Sequence, residues 1–271
     1  MTVTADTTPA QRDLTVGGLR LAVDEAGAGQ PLVVLHHSTG PFWTPYLERA
    51  AESRRVVALH LAGYGRSARP SAARAPSDLA VLAMQQLDQL ELEAVDIVGL
   101  GFGGWVAAEM AAMYQGRFAS LTLVGAAGLK PAEGFIHDPM MTSFDAYVRQ
   151  GFTSQDRFTA MFGETPPDDV VELWDFSREM TARLTWKQWM WSISLPALVQ
   201  GVRIPAQIIW GDDDQVVPLS CAYHYAELLG GAPVHVVADS GHNIDLEQPE
   251  ELARFTTSPV GATASPTTGR R

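Results

Sequence analysis

Apolar, β-branched runs too short for helices recur along the chain, each closed by glycine, proline or a polar residue. Residues 31–36, 55–60, 95–99, 120–125, 206–210 and 234–237 read as strands buried on both faces of a parallel sheet, because they are continuously hydrophobic rather than alternating. Ahead of them, residues 13–16 and 19–23 flank Gly17-Gly18, a hairpin signal. Stretches with helical spacing separate most of the runs. One is expected from an N-cap at Ser77 to about Leu92, and two more over residues 105–114 and 220–229. Strands alternating with helices predict βαβ units and a sheet covered on both sides.

The alternation breaks between about Gly128 and Gly201. Leu173, Phe176, Met180 and Leu184 recur there at helical spacing and are expected to pack onto the core. Met140, Met141, Phe144, Trp186, Trp189 and Trp191 exceed what one buried face needs, which suggests a helical cap with an apolar pocket beneath it. The expected organisation is a disordered N-terminus at 1–11, a core formed by 12–127 and 202–255, a cap at 128–201 and a disordered tail at 256–271.

Composition narrows the class. With 271 residues, 46% hydrophobic and 18% charged, the chain can bury one α/β core carrying an insertion. The lone cysteine, Cys221, cannot form an internal bridge, and no charged-then-apolar leader precedes the first strand, so a reducing cytoplasm is expected. No apolar run approaches the roughly 20 residues of a membrane span. The net charge of -12 disfavours nucleic acid and supports solubility. A homo-oligomer is compatible with the sequence.

Residues 95–105, Val-Asp-Ile-Val-Gly-Leu-Gly-Phe-Gly-Gly-Trp, combine a strand, a glycine-flanked turn and a helix start. They resemble the nucleophile elbow G-x-S-x-G of the α/β-hydrolases, with Gly101 at the nucleophile position. Further motifs follow the same family pattern. Leu35-His36-His37-Ser38-Thr39-Gly40 resembles the His-Gly oxyanion loop, with His37 in place of the usual glycine. Residues 210–218 match G-x-x-D-x-x-x-P, which selects Asp214 as the orienting acid over Asp212 and Asp213, and Ser240-Gly241-His242 matches the S-G-H that presents the catalytic histidine. Residues 60–67 resemble D-x-P-G-x-G-x-S, with His60 and Ala62 departing from it.

The resemblance implies an α/β-hydrolase fold, with a mostly parallel sheet, helices on both faces and a helical cap insertion. It also implies that Asp214 and His242 form a catalytic pair and that the backbone N–H groups of Ser38 and Phe102 form the oxyanion hole. His37 and Trp43 are further candidates for contact with substrate. Gly99, Gly101 and Gly104 satisfy G-x-G-x-x-G, but no acidic residue ends the next strand and the flanking loops already match a hydrolase, so a dinucleotide is not implied. No metal-ligand spacing is present, and no cofactor is expected.

Gly101 closes the ordinary acyl-enzyme route, and four readings follow. In the leading one, His242 serves as general base on water or on a substrate proton, and the oxyanion loop stabilises the anion of a small apolar carbonyl compound. Hydrolysis, C–C cleavage, elimination and cyclisation all suit that machinery. The second moves the nucleophile to Ser38. The third is a catalytically silent binding protein, and the fourth a serine hydrolase whose serine was mutated to Gly101.

Overall fold

A computed structural model describes residues 7–187 and 189–260. The chain begins with a hairpin, β1 (Ala10–Val16) and β2 (Leu19–Ala26), followed by β3 (Pro31–Leu35), α1 (Pro45–Ala51), β4 (Arg55–Leu59), α2 (Pro76–Gln89), β5 (Val95–Leu100), α3 (Phe102–Tyr114) and β6 (Phe118–Val124). Four helices follow: α4 (Phe144–Gln150), α5 (Gln155–Phe162), α6 (Asp168–Thr185) and α7 (Leu195–Val199). Then come β7 (Ala206–Gly211), α8 (Ser220–Leu228), β8 (Val234–Val237), α9 (Ile244–Glu247) and α10 (Pro249–Thr256). All eight strands join one sheet in the order β1-β2-β4-β3-β5-β6-β7-β8, antiparallel at the β1–β2 and β2–β4 pairs and parallel from β4 onward.

Side chains alternate across this sheet as strand geometry requires. Val95, Ile97, Leu121, Leu123 and Ile208 face one core, while Val98, Leu100, Val124 and Ile209 face the other. The continuous apolar runs are therefore central strands with helices on both sides. Helix α3 is apolar on nearly its whole circumference because it is buried throughout its first ten residues. At its start, a Cβ on Gly103 would lie 2.5 Å from the Leu35 carbonyl oxygen, so only glycine lets the helix approach β3 this closely.

Several boundaries differ from the sequence expectation. Ser77 is not the cap of α2: Ala75 occupies that position, and the Asp78 carboxylate accepts from the Ala75 and Arg74 N–H groups at 3.0 and 2.7 Å. Residues 10–11 pair with Asp24 and Glu25 in the hairpin, and Thr256 accepts a 3.0 Å hydrogen bond from the buried Tyr46 hydroxyl. Polar composition misled at both ends, since pairing and capping order these residues. The expected disorder at 1–6 and 261–271 lies outside the described residues. No described helix is long and apolar enough to cross a membrane.

The cap leaves and returns through a narrow neck, where Gly128 bonds with Met190 and Ser192 at 3.0 and 2.9 Å. The return therefore comes earlier than Gly201, and α7 packs on α3 as part of the core. Within the cap, Phe152, Phe158, Phe162 and Trp174 form their own aromatic cluster, with Phe162 edge-on to Trp174 at 5.1 Å. The buried face of α6 is Trp174, Ser177, Met180, Thr181 and Leu184, whereas Phe176 is exposed beneath the Arg69 guanidinium. That face is rotated from the expected stripe, and it carries a hydroxyl that finds a partner in the core: Thr181 joins Tyr64 at 2.8 Å. Trp186, Trp189, Met140 and Met141 are exposed, so of the surplus large apolar residues only Phe144, which is buried and stacks on Tyr147, and the half-buried Trp191 turn inward.

Candidate active site

The three loops singled out in the sequence meet at the carboxyl edge of the sheet. Gly101 follows β5 with φ 52° and ψ -113°, the left-handed turn that lets α3 start immediately. Its N–H donates to the Val124 carbonyl at 2.8 Å, and its carbonyl accepts from Gly104 and Ala127, so the turn is held from both sides. An L residue here would carry backbone strain of about 1–3 kcal/mol.

Asp214 sits after β7, and its Oδ1 accepts the N–H groups of Val216 and Val217 at 2.9 and 2.8 Å. The other oxygen, Oδ2, takes the Nδ1–H of His242 at 2.9 Å. Both side chains are buried. With Nδ1 committed as donor, Nε2 carries the lone pair, the tautomer a general base needs. That nitrogen lies 2.8 Å from where a Cβ on Gly101 would stand. The histidine loop is itself anchored: the buried Glu247 carboxylate accepts from the Gly241 N–H at 2.7 Å and ties it to the cap through Thr153 and Arg157. Asp212 and Asp213 are exposed, which leaves Asp214 as the orienting acid.

The oxyanion loop is built around two histidines with different tasks. His36 is structural. Its Nδ1–H donates to the His37 carbonyl at 2.7 Å and its Nε2 accepts the Leu61 N–H at 3.2 Å. Burial pushes its pKa down to about 3, so it stays neutral and pins the loop to the 60–67 segment. In that segment His60, where the family pattern has Asp, bonds Asp24 at 2.9 Å and accepts from the Arg66 N–H. His37 instead turns toward the elbow. Its Nε2 meets Asp245 at 3.0 Å, and its Nδ1 lies 2.5 Å from the Gly101 Cβ position.

Ser38 and Phe102 are buried beside the elbow. Among the described residues neither N–H donates to the protein, as oxyanion donors require. The Ser38 hydroxyl pairs with Tyr147 from the cap at 3.0 Å and has no hydrogen bond to His242. This bond joins the cap to the loop, and Tyr147 stacks on His137 within the cap. Trp43 is partly buried against the second core cluster and makes no hydrogen bond or ring contact to these groups. Its neighbour Phe42 lines a cavity with Val148, Phe162 and Trp174 that reaches His37 and Asp245 but is not lined by Gly101, Ser38, Phe102 or His242. The cavity holds about 40 Å³ and has no lysine or arginine in its lining. Cys221 offers no alternative nucleophile, because burial pushes its thiol up to about 12.

Asp245 and Tyr147 are the site residues the sequence motifs missed. Asp245 stands three residues after His242, a spacing that could have drawn attention to it. Nothing near Tyr147 in the sequence points to the oxyanion loop.

The sequence profile of the alpha/beta hydrolase family matches residues 32–255. The chain belongs to that family. The 2-hydroxymuconate semialdehyde hydrolase of Pseudomonas sp. (strain CF600) is 30% identical over 90% of this chain and 90% of its own length. The 2-hydroxy-6-oxo-2,4-heptadienoate hydrolase of Pseudomonas putida is 26% identical over 90% of this chain and 94% of its own. Among solved structures, a meta-cleavage product hydrolase from Pseudomonas fluorescens superposes with a TM-score of 0.77 at 23% identity, covering 91% of this chain and 96% of that one. A bromoperoxidase from Bacillus anthracis reaches 0.73 at 20% identity, covering 91% and 97%. The shared fold thus spans different chemistries, while the two sequence relatives named above are hydrolases, and this α/β-hydrolase-family chain is a hydrolase-fold enzyme.

Proposed function

We propose that the protein hydrolyses a carbon–carbon bond beside the carbonyl of a small, largely apolar compound, with water rather than a side chain as nucleophile. The observation that carries this reading is the Nε2 of His242, backed by Asp214 and aimed at the open Cβ position of Gly101. His242 removes a proton from water as the water oxygen bonds to the carbonyl carbon. The carbonyl electron pair moves onto oxygen, facing the N–H groups of Ser38 and Phe102, where two such donors contribute about 3 kcal/mol each. When the tetrahedral species collapses, the C–C bond breaks, its electron pair goes to the departing carbon, and His242 returns the proton there. Ketone and water thus become a carboxylic acid and a protonated carbon fragment.

The sequence relatives support C–C hydrolysis over ester hydrolysis, and so does the lack of a serine at the elbow.

The test is turnover of 2-hydroxymuconate semialdehyde, 2-hydroxy-6-oxo-2,4-heptadienoate and the methyl ester of the latter, followed by loss of the conjugated chromophore. The expected result is hydrolysis that His242→Ala abolishes and Asp214→Asn lowers about 10³–10⁴-fold by releasing the wrong tautomer. Ser38→Ala should stay within a few-fold, since the backbone N–H acts there. Undiminished turnover in His242→Ala overturns the general-base reading. Loss of turnover in Ser38→Ala would make that hydroxyl the nucleophile, and tight binding with no turnover would make the protein a receptor.

A further inference from the structure

His37 has a carboxylate partner of its own. Its Nε2 lies 3.0 Å from Asp245 Oδ1, both residues are buried, and they come from the loop that carries Ser38 and from α9, which directly follows the His242 loop. The arrangement repeats that of His242 and Asp214. In each pair the carboxylate takes the N–H of the far ring nitrogen and leaves the near nitrogen as an acceptor. His37 Nδ1 is buried with no hydrogen-bond partner, and it points at the same spot as His242 Nε2. The two nitrogens lie 2.5 and 2.8 Å from the Cβ position of Gly101, which places them at most about 5.3 Å apart. The rings are tilted by 60° with centroids 5.0 Å apart, and no direct hydrogen bond joins them.

Two acceptors facing each other across such a gap call for a donor with two hydrogens. A buried nitrogen left unpaired costs about 1–3 kcal/mol, and no side chain here relieves it. One water standing beyond the Cβ position, clear of the Gly101 Cα, would supply both hydrogens. Among the described residues no third His, Cys, Asp or Glu joins the rings in a metal-ligating cluster.

We propose that His37 and Asp245 form a second catalytic dyad, which together with His242 and Asp214 binds the nucleophilic water over Gly101. The inference rests on the general-base reading of His242 and deepens it. One O–H of the water donates to His242 Nε2 and loses its proton there as the oxygen attacks the substrate carbonyl. The other donates to His37 Nδ1 and fixes the direction of the attacking lone pair. His37 thereby does for water what a Cβ does for a serine hydroxyl: it holds the oxygen in place before the reaction begins. Gly101 is the residue that leaves the room.

The first test needs no substrate. Nitrogen-detected NMR of the histidine rings should show opposite tautomers, Nε2–H at His37 and Nδ1–H at His242, both unchanged by added chelator. A proton on His37 Nδ1 in the neutral ring would overturn the proposal. The second test is kinetic, with 2-hydroxy-6-oxo-2,4-heptadienoate as the probe. His37→Gly and Asp245→Asn should each lower kcat about 100-fold or more with KM within about threefold. Free imidazole should restore much of the loss in His37→Gly, and circular dichroism should confirm that both variants fold. If His242→Ala abolishes turnover while folded His37→Gly keeps wild-type kcat, the second dyad falls and the general base stands. If His242→Ala keeps turnover, the underlying reading fails as well.

Discussion

Gly101→Ser would rebuild the family elbow, and the geometry argues that on its own it fails. The backbone already sits at φ 52°, so any side chain there carries about 1–3 kcal/mol of strain. The added Cβ would stand 2.5 Å from His37 Nδ1 and 2.8 Å from His242 Nε2, where van der Waals contact needs nearly an ångström more. Neither ring swings away cheaply, because Asp245 and Asp214 hold their far nitrogens. Overpacking of this kind costs a further 1–3 kcal/mol or so, giving roughly 2–6 kcal/mol in all. For a domain of this size that corresponds to a fall in Tm of about 5–20 °C. The assay pairs thermal denaturation with stopped-flow hydrolysis of p-nitrophenyl acetate. The single variant should melt early and give no burst of nitrophenol. His37→Gly together with Gly101→Ser removes the nearer clash, and should show a burst and a favourable coupling of about 1–3 kcal/mol in a double-mutant cycle. A full burst and an unchanged Tm in Gly101→Ser alone would refute the reasoning.

Two other perturbations test the frame around the site. His36 is neutral when folded, because burial pushes it down to about 3, but takes a proton near pH 6.5 when unfolded. Its contribution to stability is therefore complete above about pH 6.5 and is lost as the pH falls toward 3, by up to about 1.4 kcal/mol per pH unit. Urea unfolding at several pH values should show that slope reduced by this amount in His36→Gln, and equal slopes would contradict the assignment. Glu247→Gln weakens charge-assisted bonds to Gly241, Thr153 and Arg157, and should cost about 1.5–3 kcal/mol in the same assay while lowering kcat by displacing His242.

The sheet was legible because buried parallel strands cannot hide: six continuous apolar runs became β3 to β8 with end shifts of two residues or fewer. The pair Asp214 and His242 was legible because the loops after β7 and β8 carry local motifs. What the sequence concealed is pairing between distant segments. Ser38 with Tyr147 and His37 with Asp245 are joined across more than a hundred residues, and neither spacing follows a helix or strand period. The cap was read less well for a related reason. Of the apolar residues expected to line its pocket, Phe144 is buried whereas Trp186 and Trp189 face solvent, and hydrophobicity alone does not assign a face in short, irregular segments.

Taken one at a time, Gly101 and His37 look like separate departures from the α/β-hydrolase pattern. In the fold they touch, since the ring of one fills the space that the other's Cβ would need. A serine at the elbow would collide with His37, and a glycine at 37 would leave Asp245 without its 3.0 Å partner. The three residues therefore form a set in which each choice makes sense only with the other two. A hydrolase inactivated by one recent mutation would keep the small residue opposite its lost serine. This chain has instead placed a buried, carboxylate-backed imidazole there, and that rebuilding is the strongest argument that the glycine belongs to a working site.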